Sequence, residues 1–325
     1  MTPCERFLAA LNREIPDRVP YFEYEIDKAV ITALHGRELP RKKVCRAYGV
    51  CDMEWWKKPP IFAESHTSEI GRDFVGAGLI CSREDWERIT LPDPVTKDNF
   101  ENAKKFCAEK DEFAAGLVFS CSADPVLLSL GYDGFGLAVY DTPDLVEEML
   151  DAFTTWTIKM LEAYQELDFD FALAGDDLAF KTGPFFSPKT FRDLLLPYMK
   201  KVADAVELPW IQHSDGNLVP ILDDLLSLGM NGLHPIEPEA MDIFWLKENY
   251  GDRLTICGNI DINTLCLGTV DDVRREVREK VPVLMKGGGY IAASSTSISE
   301  SVKPENFVAM VEEIQAVGTY QLWQG

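Results

Sequence analysis

From Asp168 to the C-terminus the chain alternates short apolar runs with longer amphipathic ones, five times in succession. DFDFALAGDD (168–177) is followed by SPKTFRDLLLPYMKKVADAV, PWIQHSD (209–215) by LVPILDDLLSLG, and MNGLHPIEP (230–238) by MDIFWLKENYG. RLTICGNID (253–261) and GGYIAASSTS (288–297) each lead into a further helical pattern. Short strands separated by helices of ten or more residues predict βαβ units and a parallel sheet. The punctuation agrees: Ser187 before Pro188 reads as an N-cap with proline at the first helical position, Thr269 as another cap, and Gly229 and Gly251 as helix stops. Five such units in 325 residues fit the second half of a (β/α)₈ TIM barrel.

The first half is less regular. VPYFEYEID (19–27) alternates as a first strand would, residues 112–131 read as a strand and then a helix, and residues 141–167 as a long helix. Residues 40–110, rich in Trp, Pro and charge, read as an irregular excursion on top of one barrel domain spanning 1–325. The net charge of −22 excludes nucleic acid and anionic membranes as partners. No run of eighteen apolar residues predicts a membrane span, and the start, MTPCERFLAALNREIPDR, reads as a charged amphipathic helix rather than a signal peptide. A cytoplasmic protein is expected. The eight cysteines are irregularly spaced without a CxxC, so they read as thiols, most of them small buried hydrophobes.

In a barrel, ligands bind where the strands end. The polar groups expected there are Glu23, Glu25 and Asp27; Ser120 and Asp124; Asp176 and Asp177; His213 and Asp215; His234 and Glu237; Cys257, Asn259 and Asp261; and Ser294, Ser295 and Thr296. Each alone is as readily a cap or turn residue; their convergence argues for a site. His213 and Asp215 stand two apart, on one face of a strand. With Glu237 and Cys257 they supply the nitrogen, oxygen and sulfur donors of a zinc site that keeps one position open. Asp215 has competing roles, orienting His213 or capping the helix at 218. Of the adjacent pair, one of Asp176 and Asp177 faces the pocket while the other caps; Asp176 is carried forward with Glu23 as a catalytic candidate.

HSDGN followed by a helix, then GLHPIEPEAMD, LKENYGDRLTICGNID and GGGYIAASSTS, resembles the uroporphyrinogen decarboxylase superfamily, as does the opening PDRVPYFEYEID. The resemblance covers most of the chain and is densest from Asp168 to Ala309. It implies a uroporphyrinogen decarboxylase-like barrel with its site at the carboxyl end, and members are often dimers. The decarboxylases of this superfamily carry an arginine-rich segment after the first strand; here that place reads YFEYEIDKAVITALHG, with acids and no arginine. The other branch is the cobamide-dependent methyltransferases, which use zinc and a corrinoid protein. Their His-x-Cys is matched by His213, but Asp215 stands at the cysteine position, and the eighth strand offers Ser294, Ser295 and Thr296 where a second cysteine belongs. On this resemblance Cys257, on the seventh strand, would supply the thiolate instead.

The segments around HSDG and CGNID are most similar to the methyltransferases of O-demethylase systems. The function this implies is transfer of a methyl group from a methoxylated aromatic to the Co(I) centre of a corrinoid protein, with zinc on the ether oxygen as Lewis acid. Asp176 and Glu23 would orient substrate or move a proton, and Phe119, Phe180 and Trp55 are candidate walls for an aromatic ring. A methyltransferase for a thiol or amine, a decarboxylase of a smaller acid, and a barrel that only binds a corrinoid partner are the rival readings.

Overall fold

The structure is a computed structural model that describes residues 1–67 and 73–320. Eleven strands occur among them: β1 (Asp52–Trp56), β2 (Ala63–Thr67), β3 (Asp73–Gly78), β4 (Ala114–Phe119), β5 (Phe171–Gly175), β6 (Ala179–Phe180), β7 (Gly183–Pro184), β8 (Trp210–His213), β9 (Gly232–His234), β10 (Thr255–Cys257) and β11 (Tyr290–Ile291). Seven of these form one sheet in the order β1-β4-β5-β8-β9-β10-β11, and every neighbouring pair in it is parallel. The segment 19–26 closes the ring. Tyr21 bridges Val50 on one side and Ala292 on the other, both in parallel. The amide N–H of Cys51 donates to the Tyr21 carbonyl at 2.7 Å, and that of Phe22 to the Ala292 carbonyl at 3.0 Å. The expected barrel is present, with helices outside it.

Two apolar layers hold this ring. The outer one lies between strands and helices and includes the long helix Pro143–Tyr164, which buries Val146, Met149, Phe153 and Met160. The inner one fills the barrel with Phe22, Val118, Phe171, Leu173, Ile211, Cys257 and Ile291. At the amino ends of the strands it is plugged by the helix Pro3–Leu11, entered through a Thr2–Glu5 capping box. Phe7 of this helix packs 4.7 Å from the Phe171 ring, and Thr255 Oγ1 donates to the carbonyls of Ala10 and Leu11 at 2.9 and 3.1 Å. Gly116 makes room for the Phe171 ring: a Cβ there would meet it at 2.3 Å.

The stretch 40–110 is not a single excursion. It supplies the helix Arg41–Tyr48, the barrel strand β1 and the helix Lys97–Ala108. Only β2 and β3, an antiparallel pair, leave the ring, and they rest on the helix Ala123–Leu130 through Ile80 N–H on the Ser129 carbonyl at 3.0 Å. Acids at 52 and 54 interrupt the apolar signal of β1. Asp52 is nevertheless fully buried, because Arg41 reaches it at 2.8 Å.

Candidate active site

His213 and His234 end adjacent strands and pair in register, so both rings project from the carboxyl edge of the sheet toward the same side. Their Nδ1 atoms are 2.8 Å apart, a distance that requires one ring to donate to the other. Tyr24 lies flat on the His213 ring, centroids 4.0 Å apart and planes within 4°. Burial drives the His213 imidazole down to about 3, helped by the Lys58 ammonium, so the ring is neutral near pH 7. Its remaining nitrogen, Nε2, points to Asp177 Oδ1 at 3.9 Å.

The turn after β8 is shaped around this pair. Asp177 Oδ1 accepts the Asp215 amide N–H at 2.9 Å, and Glu237 Oε2 accepts that of Gly216 at 2.7 Å. Gly216 has φ +88° and a Cβ there would meet the Ala179 carbonyl at 2.4 Å, so the turn depends on glycine. Asn217 Oδ1 accepts the Val219 amide N–H at 3.1 Å, and the helical turn Val219–Ile221 has no side-chain cap, so Asp215 does not cap it. Asp215 Oδ1 is buried with no hydrogen-bond partner among the described residues. Burial pushes this carboxyl up to about 7, with the Asp177 and Glu237 charges adding to the effect and Lys181 opposing it. An orphaned carboxylate oxygen, a second carboxylate and a neutral imidazole nitrogen lie within 4.8 Å of one another, as Asp215, Asp177 and His213. That donor set fits a divalent cation with positions left open. It holds no thiolate.

The other expected residues lie elsewhere. Asp176 is fully buried and turned toward the loop after β4, where it accepts Ser120 Oγ at 2.6 Å and the amide N–H groups of Cys121 and Asp124 at 2.5 and 3.0 Å. It braces that loop and is not brought to the cluster, which its neighbour Asp177 faces instead. Cys257 is not brought there either. It pairs with Ile291 in the inner apolar layer, and burial raises its thiol far above neutrality, so it offers no thiolate. Glu237 borders the cluster through Gly216 but stands outside the three-ligand group.

Glu23 is fully buried, where it accepts the Ser294 amide N–H at 2.9 Å and Ser294 Oγ at 2.6 Å. It ties the first segment to the last strand, and burial holds its carboxyl up at about 7. Ser295 Oγ accepts the Ile262 amide N–H at 3.0 Å. Trp55 packs on Phe106 and Phe119 lies in the outer layer, so of the expected aromatic walls only Phe180 faces open space.

Two participants had no clear signal in the sequence. Tyr24 is the first. Lys58, in the loop after β1, donates to the Gly175 carbonyl and lies 3.4 Å from Asp124. Asp124 Oδ1 accepts the Asp177 amide N–H at 2.9 Å, and burial, with Asp176 and Asp177 close by, raises its carboxyl. Asp124 and Asp177 line a cleft of about 560 Å³ walled by β3 and by Gly131–Gly134. Through Tyr132 and Asp133 it adjoins a second groove of about 370 Å³ lined by Phe135, Phe180, Phe185 and Phe186.

Residues 79–317 match the sequence pattern of uroporphyrinogen decarboxylase (URO-D), nearly three quarters of the chain. The chain belongs to the uroporphyrinogen decarboxylase family. Among curated relatives, the uroporphyrinogen decarboxylase of Coxiella burnetii (strain Dugway 5J108-111) is 22% identical over 96% of this chain and 94% of its own. That of Xanthomonas euvesicatoria pv. vesicatoria (strain 85-10) is 23% identical over 96% and 98%. Among solved structures, a methyltransferase from Methanosarcina mazei superposes with TM-score 0.77 at 22% identity, covering 97% of this chain and 99% of that one. A B12-independent methionine synthase from Shewanella sp. W3-18-1 follows at TM-score 0.50 and 9% identity over 94% and 98%. At these identities the likeness establishes the barrel, and the family assignment rests on the sequence match. No helix among the described residues is long and apolar enough to cross a membrane.

Proposed function

We propose that this family member is a methyltransferase that moves the methyl group of an aryl methyl ether to the Co(I) centre of a separate corrinoid protein in the cytoplasm. The observation that carries the reading is the Asp177–His213–Asp215 cluster, of which Asp177 lines a cleft that adjoins an aromatic-lined groove. The solved neighbour with TM-score 0.77 is described as a methyltransferase, which supports the same reading.

The difficulty of the reaction is the leaving group. As the carbon–oxygen bond breaks, its electron pair stays on the phenolic oxygen and the methyl group passes to the partner's Co(I). A zinc ion held by Asp177, His213 and Asp215 would supply a Lewis acid for that oxygen. The chain's own part is positioning and proton supply. Asp124, raised by burial and lining the same cleft as Asp177, can keep a proton for the phenolate. Tyr132, Phe180 and Phe185 offer faces for an aromatic ring, with Phe180 and Phe185 already meeting edge to face at 4.4 Å.

The curated relatives, named uroporphyrinogen decarboxylases, support decarboxylation as a second reading, here of an acid smaller than a porphyrinogen. The two separate in one assay. Incubation with a Co(I) corrinoid protein and a panel of methoxylated aromatics should consume Co(I) and release the matching phenol, with the rate falling at least about 100-fold in His213→Ala. Release of CO₂ from small acids without phenol formation on any member of the panel would replace this reading with the second.

A further inference from the structure

His213 offers its outward nitrogen to the mouth, but an imidazole on a strand end turns freely about two side-chain bonds unless something holds it. Here two rings hold it from different directions. Tyr24 covers its face, 4.0 Å away and within 4° of parallel, and Tyr24 is itself wedged edge-on by Trp56 at 4.9 Å. His234 holds it in the ring plane through the 2.8 Å Nδ1–Nδ1 contact, and meets the Phe22 ring edge-on at 5.1 Å. Among the described residues the second nitrogen of His234 is buried without a partner, and the polar contact its ring makes there is to His213. A buried histidine with half its hydrogen-bonding capacity unmet is costly to keep unless its other half is needed.

We propose that Tyr24 and His234 are positioning residues that clamp the His213 ring so that Nε2 faces Asp177 and Asp215. The proposal rests on the metal reading of that cluster for its purpose, and on the three-ring geometry alone for its existence. Each clamp residue acts through His213, which both contact directly. Partners that orient a ligating histidine commonly account for about 10–100-fold in metal affinity.

The test uses the full chain, inorganic Zn²⁺ and Co²⁺, and the His213 ring resonances, assigned by their loss in His213→Gln. In the metal-free protein the His213 ring protons should be shifted upfield by the stacked tyrosine. The shift should survive in Tyr24→Phe and vanish in Tyr24→Leu. Zn²⁺ affinity should be retained within about threefold in Tyr24→Phe and fall about 10–100-fold in Tyr24→Leu and in His234→Ala. The visible spectrum of bound Co²⁺ should change in those two variants only. If Tyr24→Leu does not fold, His234→Ala and Tyr24→Phe still decide. Unshifted ring protons in the native chain, or native Zn²⁺ affinity in His234→Ala, would overturn the clamp. A native chain that takes up no Zn²⁺, yet shows the shift and its loss in Tyr24→Leu, leaves the clamp standing and removes the metal reading instead.

Discussion

Asp176 and Asp177 are chemically identical neighbours with different fates, because adjacent residues at a strand end point to opposite sides. Asp176 satisfies three donors of the β4 loop, while Asp177 faces His213. Asp176→Asn should therefore destabilise the protein by about 1–3 kcal/mol in urea unfolding, since it turns a buried acceptor into a partial donor. Asp177→Asn should leave the urea midpoint nearly unchanged and lower bound Zn²⁺. Glu23 permits a sign-resolved pH prediction. Its folded pKa of about 7 lies above its ordinary value, so folding favours the proton. Its contribution is fully present below about pH 4.5 and is lost as pH rises through 7. Relative to Glu23→Gln, the native protein should lose on the order of 3 kcal/mol of stability between pH 4.5 and 8. A pH-independent difference between the two urea curves would contradict this.

The five βα units after Asp168 were readable as elements because each strand is an apolar run closed by a cap or a glycine. Thr269 accepts the Asp272 amide N–H and Ser187 that of Thr190, where the spacing put them. β1 was not readable, since DMEWW carries its acids inside the barrel wall and only Arg41, eleven residues upstream, makes Asp52 tolerable. The site was partly legible for a related reason. His213 and Asp215 carry their own local signal. Tyr24 and Lys58 reach the mouth from separate loops and Asp124 from the first turn of the helix Ala123–Leu130, and only ring closure brings them together. Cys257 misled because a thiol at a strand end reads alike whether it stands in the mouth or one layer below. The plug is an element with a clear energetic role: Phe7→Ala, removing a fully buried ring, should cost about 3–5 kcal/mol in urea unfolding, with zinc affinity unchanged in the protein that remains folded.

At the scale of the whole molecule, a cation that binds only the folded chain adds stability by mass action, about 2.7 kcal/mol at a hundredfold excess over its dissociation constant. Zn²⁺ should thus raise the thermal midpoint and a chelator should reverse the rise, whereas in His213→Ala neither should have an effect. An equal response in the two proteins would place the binding elsewhere. The ring itself is uneven. β4 and β5 share four residue pairs, but the segment 19–26 meets β1 through Tyr21 alone among the described bridges. The amide hydrogen of Cys51, which bonds the Tyr21 carbonyl across that join, should consequently exchange faster than those of β4 and β5. Tyr24 rides on that seam. Whenever the barrel breathes along its weakest join, the stave that parts from its neighbour carries the tyrosine with it, and the imidazole beneath is momentarily uncovered.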